Sequence, residues 1–286
     1  LDFRFRAFFP EYVEVNFMNL SRWKKAILHI GRITEIWKAI IFTKSWWGFT
    51  RRYIQLGNIE YPWLLETRDE QNIQLNNFHD LVTAWIIFCR QEYEVSKDAK
   101  VIIDLGANYG AFTLLAANQS RKSRIISLEP FPAMFERLQK NVASHGLQER
   151  VMCLPLAIAK SSGSRKMSLD KDIPDQSRGL IPENIAETKL SVSVKTISLH
   201  ELLEYTLSKF TTEQIDIVKL DIEGGEHEWL PEIPASTLQC IRSWQMEYHP
   251  NGSKQELFQA LERAGFICVR DSVMGLNSGV AYFQRQ

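Results

Sequence analysis

From about residue 99 onward, short apolar runs alternate with helical segments, and this alternation constrains the fold more than any other feature of the chain. The strand-like runs are 101–105, 124–129, 151–156, 215–221, 241–248, 266–270 and 280–284. Helical spacing fits 111–118, 133–145, 199–207, 226–230 and 254–264. Strands that are apolar along their length, rather than at every second residue, are buried on both faces. The intervening helices supply the two covering layers. The pattern therefore predicts an α/β domain built on a mainly parallel sheet.

One stretch breaks the alternation. Between about 160 and 198, the runs 165–169 and 191–197 read as strands flanking a polar loop from Asp170 to Lys189 that contains Pro and Gly. An inserted hairpin with a mobile tip is expected there. Residues 61–98 read as a lead-in: a short hairpin around Arg68-Asp-Glu-Gln, then a helix from Phe78 to Cys89. Residues 1–60 form a third zone, rich in tryptophan and basic. Between Ser21 and Gly57, Arg22, Lys24, Lys25, Arg32, Lys38, Lys44, Arg51 and Arg52 face the single acid Glu35. Trp23, Ile27, Ile30, Ile33, Ile36 and Trp37 recur at roughly helical spacing, which predicts one or two amphipathic helices. Such helices can pack on the core, form a homodimer interface or a lid, or rest on an anionic membrane surface. All three readings stay open in the sequence.

Composition narrows the classes. Lys+Arg and Asp+Glu both number 34, so bulk charge gives no reason to expect nucleic acid as a partner. The apolar runs fall short of the ~20 residues of a membrane-spanning helix. The first residues show no signal-peptide pattern, so a cytoplasmic chain is expected, with peripheral membrane contact as the alternative. Cys89, Cys153, Cys240 and Cys268 are widely spaced inside apolar runs without a CxxC pair, and read as reduced core cysteines.

The chemistry concentrates in three places. First, the strand ending in Asp104 runs into Leu105-Gly106-Ala107-Asn108-Tyr109-Gly110 and then a helix. A small-residue turn at a helix start lets backbone approach a ligand closely and presents N–H groups to a carboxylate. Asp104 is positioned to accept from an ammonium group. Second, the next strand ends in Glu129, about 20 residues further on, where an acid binds both hydroxyls of a ribose. Together these describe a nucleoside with a charged amino-acid tail. The spacing Gly106-x-x-x-Gly110 is not the GxGxxG that seats a dinucleotide pyrophosphate, which disfavours a nucleotide-dependent oxidoreductase. Third, Lys219-Leu-Asp221-Ile-Glu223-Gly224-Gly225-Glu226 and Glu247-Tyr-His249 end two parallel strands at the edge where ligands of open α/β sheets bind. Asp221, Glu223, Glu247 and His249 are the candidates for acid–base work, with His249 as a possible base oriented by Glu247. Glu226 suits the first turn of the following helix. No metal-ligand spacing appears and no metal is expected, although Asp221, Glu223 and Glu247 carry the oxygen ligands that Mg²⁺ takes.

These residues resemble the FkbM family of S-adenosylmethionine (SAM)-dependent methyltransferases. The likeness runs from about Arg90 to His249 through Glu92-Tyr93-Glu94, the run from Ile103 to Ala117, Leu128-Glu129-Pro130, the run from Val194 to Leu203, and Lys219 to Glu226. Gly225 and His200 depart from the family's usual Ala and Asp. The resemblance implies a Rossmann-like seven-stranded sheet, mostly parallel with an antiparallel last strand, preceded here by an N-terminal helical extension. It implies SAM as cofactor and methyl transfer, commonly to oxygen in sugars, lipids or natural products. The residues expected to hold SAM are Asp104, Gly106, Ala107, Asn108, Gly110, Phe112, Thr113, Glu129 and Pro130, with Leu156, Ala157 and Asp221. A noncatalytic binding protein on the same scaffold is the alternative of another class.

Overall fold

The computed structural model describes residues 33–70, 72–169, 179–181 and 190–286. Any expectation for residues 1–32 and for most of the tip between 170 and 189 lies outside them. The chain divides into two compact units, residues 1–92 and 93–286.

In the first unit, helices α1 (Ile33–Phe42) and α2 (Trp46–Tyr53) precede a two-stranded antiparallel hairpin, β1 (Trp63–Leu65) and β2 (Ile73–Leu75). Helix α3 (Phe78–Trp85) follows, capped by Asn77, whose side chain accepts the Asp80 N–H at 2.9 Å. It continues as a π-helical turn, Ile86–Arg90. Aromatic rings fill the interior: Tyr53 stacks on Trp85 at 4.2 Å and Phe42 on Phe88 at 4.2 Å. Glu35 turns inward, taking the Trp85 indole N–H at 2.6 Å with Arg90 at 3.6 Å. The opposite side of α1 is bare: Ile33, Trp37 and Ile41, four residues apart, are 61%, 63% and 60% exposed.

The second unit is built on seven strands. They are β3 (Val101–Leu105), β4 (Arg124–Leu128), β5 (Val151–Leu154), β9 (Ile215–Leu220), β10 (Ile241–Tyr248), β11 (Phe266–Gly275) and β12 (Ser278–Arg285). Their spatial order is β11-β12-β10-β9-β3-β4-β5. Only β12 runs antiparallel to its neighbours. The Rossmann-like seven-stranded sheet is thus present, with its antiparallel last strand. Helices α4 (Ala111–Gln119), α5 (Pro132–Ser144), α6 (Leu199–Phe210), the single turn α7 (Glu226–Trp229) and α8 (Lys254–Arg263) connect the strands. Residues such as Ile103, Val218, Trp244 and Phe283 are buried in the core.

Three expectations need correction. The run 151–156 is not one strand. It breaks at Pro155, which has no N–H for a ladder, and Leu156 opens a separate strand β6 (Leu156–Ala159). The inserted hairpin, β7 (Gly163–Ser168) and β8 (Ser191–Ser198), is antiparallel as expected, but β8 also pairs in parallel with β6. The insertion therefore joins β6 in a three-stranded sheet, whose Met167 and Val194 pack in one cluster with Phe131 and Met134. The cysteines are free, but only Cys89 is buried; Cys153 and Cys240 are half-buried and Cys268 is exposed on the edge strand β11.

Candidate active site

The turn after β3 is fixed by its neighbours. Gly106 and Ala107 both donate their N–H to Leu128 O, at 3.1 and 2.8 Å. Gly106 adopts φ +77°, and a Cβ there would lie 1.7 Å from Asp221 O. Only glycine fits so close a backbone crossing. Gly110 adopts φ +93° at the start of α4, where a Cβ would lie 2.7 Å from Leu138 Cδ1.

Glu129 follows β4 and is 7% exposed. Its Oε2 accepts the Asn108 N–H and its Oε1 the Phe131 N–H, both at 2.8 Å. Burial pushes its carboxyl up to about 7, against the lowering effect of those two bonds and of Lys219. A cleft of about 630 Å³, including its open mouth, lies beside it. Gly106, Asn108, Glu129, Pro130, Leu156, Ala157, Asp221 and Glu223 are among the residues that line it.

Five of the expected cofactor residues do not line it. Ala107, Gly110 and Phe112 are packed inside the turn and the first turn of α4. Asp104 and Thr113 are fully buried, and Thr113 Oγ1 donates to Asp104 Oδ2 at 2.7 Å. The ammonium expected beside Asp104 is supplied by the chain itself: Lys219 Nζ lies 3.3 Å from Asp104 Oδ1 and 3.5 Å from Asp221 Oδ2, and donates to Gly106 O at 2.8 Å. Lys219 is 3% exposed. Burial alone would lower its pKa; Asp104 and Asp221 outweigh burial and raise it.

The acids beyond β9 and β10 gather at the same sheet edge. Glu223 stands at φ +56° in the turn after β9. Glu247 accepts the Tyr93 hydroxyl at 3.2 Å. Burial first, then mutual repulsion with Asp221, pushes Glu247 up to about 7. Burial likewise pushes Glu223 up to about 8; His249 opposes the rise and Asp221 adds to it. Glu247 does not orient His249; Glu226 does, with Oε1 3.0 Å from Nδ1. Glu226 is fully buried and ties down the turn through the Gly224 N–H at 3.0 Å. Asp221, Glu247 and His249 each place one ligand atom within 4.8 Å of the others, so the trio that could hold a cation includes His249 in place of Glu223.

Sequence reasoning missed the parts of this site that come from afar. Tyr93 reaches Glu247 because the Gln245 carboxamide clasps the backbone of Glu94, accepting its N–H at 2.9 Å and donating to its O. The apolar run Ile215–Leu220 gave one available signal, a lysine in the interior of a buried strand, which demands a counter-charge.

Residues 104–268 match the methyltransferase FkbM domain. Over 194 residues the chain is 26% identical to "Methyltransferase sdnD" of Sordaria araneosa, covering 59% of this chain and 74% of that protein. It is also 26% identical over 199 residues to "31-O-demethyl-FK506 methyltransferase FkbM" of Streptomyces tacrolimicus, covering 60% and 74%. Among solved structures, methyltransferase FkbM from Methylobacillus flagellatus superposes with a TM-score of 0.44 at 10% identity, covering 90% of this chain and 60% of that one. With more than half of its length matched by that domain, the chain belongs to the FkbM methyltransferase family.

Proposed function

We propose that the protein transfers a methyl group from SAM to a hydroxyl oxygen of a small-molecule acceptor of the sugar, lipid or natural-product class. The observation that carries this reading is one cleft lined by Glu129, Asp221 and Glu223 together. The residues fit the cofactor. Glu129 faces the cleft with a carboxylate whose remaining lone pairs suit a ribose diol. Leu156, Ala157 and Pro130 offer apolar surface for a purine, and Gly106 leaves the turn without a side chain. Asp104 serves indirectly, by holding Lys219 beneath the turn.

When bound, SAM supplies an activated methyl group on a sulfonium centre. The chain then has to align the acceptor and take a proton. The chain would hold the acceptor hydroxyl beside the methyl donor, and a carboxylate oxygen of Glu223 or Glu247 would take the hydroxyl proton. Both acids titrate near neutrality, which suits a base at that pH. Positioning carries most of the rate effect. The name of the Streptomyces relative, a methyltransferase of an O-demethyl natural product, supports an oxygen acceptor here.

Calorimetry with SAM and with NAD tests the cofactor. Binding of SAM and not of NAD is expected, and the reverse overturns the reading in favour of an oxidoreductase. Methyl transfer from labelled SAM to a panel of hydroxyl acceptors separates an enzyme from a noncatalytic scaffold.

The domain reading keeps a helical extension up to about residue 60, a lead-in to 98 and the catalytic domain beyond. The Ile33, Trp37 and Ile41 stripe, with Lys38 and Lys44 beside it in the sequence, supports peripheral contact with an anionic bilayer on the cytoplasmic side. Among the described residues no helix is long and apolar enough to cross a membrane.

A further inference from the structure

The insertion supplies part of the cleft. Gly179 and Leu180 line it together with Glu129, Asp221 and Glu223. Residues 179–181 are held against β7: Leu180 pairs with Met167 in an isolated antiparallel bridge, and the Ile181 N–H donates to Lys166 O at 2.9 Å. Gly179 comes so near the turn after β9 that a Cβ on it would lie 3.1 Å from Glu223 O. A side chain there would force the turn to give way, so glycine suits the crossing.

Arg165 of β7 ties this segment down. Its Nη2 donates to Ile181 O at 2.8 Å, and its Nη1 donates to Glu228 Oε2 at 2.9 Å. Nη2 also reaches Glu228 Oε1 at 3.4 Å, so both carboxylate oxygens are gripped. The Arg165 side chain is only 12% exposed. One planar guanidinium thus joins β7, residues 179–181 and helix α7, which follows the turn carrying Glu223. A rigid fork of donors makes such a three-way tie; the single ammonium of a lysine does not.

The surface brought in this way is apolar. Leu156 and Ala157 of β6 line the cleft, and Met167 and Leu180 add apolar lining from the insertion. A purine is a flat ring with two faces to shield from water, and ligand clefts bury most of what they hold. We infer that residues 179–181 form an outer wall over the nucleoside of SAM, with Leu180 as its purine contact, and that Arg165 is the positioning residue that pins this wall to α7. The inference rests on the methyltransferase reading above and deepens it, because it gives the insertion a share in holding the cofactor.

The test is calorimetry on the full chain with two probes: SAM, and 5′-methylthioadenosine, which keeps the nucleoside and lacks the amino-acid tail. Leu180→Ala is expected to weaken both by roughly 5–30-fold, the effect of losing a few buried methylene groups. Arg165→Ala is expected to weaken both in the same direction. Amide hydrogen exchange of the free chain gives a readout without ligand: in Arg165→Ala the Ile181 N–H should exchange about tenfold faster or more, with the amides of β3 and β4 unchanged. Should Arg165→Ala fail to fold, Arg165→Lys replaces it, with the same direction expected on both readouts. Wild-type affinity for both probes in folded Leu180→Ala overturns the wall. Weakening for SAM alone moves Leu180 away from the nucleoside and overturns the purine contact. Unchanged Ile181 exchange in the Arg165 variant overturns the pin. A wild-type chain that binds neither probe is a different failure: it sinks the cofactor reading itself, and the wall over the nucleoside with it.

Discussion

Glu129 accepts two backbone N–H bonds, yet burial keeps its carboxyl near neutrality. This has two consequences of opposite sign. Toward SAM, only the ionised form accepts from both ribose hydroxyls, so affinity is expected to rise between pH 6 and 8.5. Glu129→Ala should weaken binding by ~1–3 kcal/mol, the value of a hydrogen bond to a charged group. Calorimetry across that range checks both, and equal affinity in a folded variant would remove Glu129 from the site. Toward folding, a raised carboxyl favours the native state at low pH. The stability from this group is complete below its unfolded value of about 4.5 and falls as pH rises through 7. The loss is about 3 kcal/mol at most, from the size of the shift. Glu129→Gln should flatten that slope in urea titrations at pH 5 and 8. Lys219 makes the complementary case. Lys219→Met leaves Asp104 charged and buried, and should cost ~3–5 kcal/mol of stability. Adding Asp104→Asn should recover much of it; a double variant as unstable as the sum of the singles would show the pair is not coupled.

At the scale of elements, the sheet was legible because its central strands are largely apolar. Strands β3 and β10 span the runs 101–105 and 241–248, and Asp104, Glu129, Asp221 and Glu247 mark the edge that binds ligands. The β5–β6 break was also written in the sequence, as Pro155 inside an apolar run, and periodicity alone passed over it. The parallel pairing of β6 with β8 was not legible. Its partners Leu156 and Lys195 are far apart in sequence, and no local pattern encodes which edge a strand seeks. The same holds for Tyr93 and Glu247, which meet across most of the domain. The candidate cofactor residues divide along this line. Gly106, Asn108, Glu129, Pro130, Leu156, Ala157 and Asp221 line the cleft, whereas Asp104, Ala107, Gly110, Phe112 and Thr113 are buried and do not. Gly106 tests the turn as an element. Gly106→Ala must escape φ +77° and a backbone oxygen 1.7 Å away. It should destabilise by more than the ~1–2 kcal/mol of left-handed strain alone and also weaken SAM binding. A melting temperature and SAM affinity like wild type would show the turn can relax without consequence.

For the whole molecule, the bare side of α1 is a surface whose role mutation can test. Trp37→Glu places a charge in the middle of the exposed stripe and, at a surface site, should leave folding nearly unchanged. The wild-type chain is expected to sediment with anionic vesicles at low salt and to release as salt screens its basic residues. Trp37→Glu should sediment several-fold less. A wild-type chain that ignores vesicles but runs as a dimer, with Trp37→Glu monomeric, would assign the stripe to a second copy instead. Another feature bears on how such a chain can be rearranged. The second unit begins at Tyr93, and the Gln245 carboxamide grips the next residue by both its N–H and its O, as a neighbouring strand would. That grip acts as a hitch. Whatever leader is coupled ahead of residue 93, exchange of that leader leaves the hydroxyl on Glu247 in place, whereas a splice even one residue later discards it.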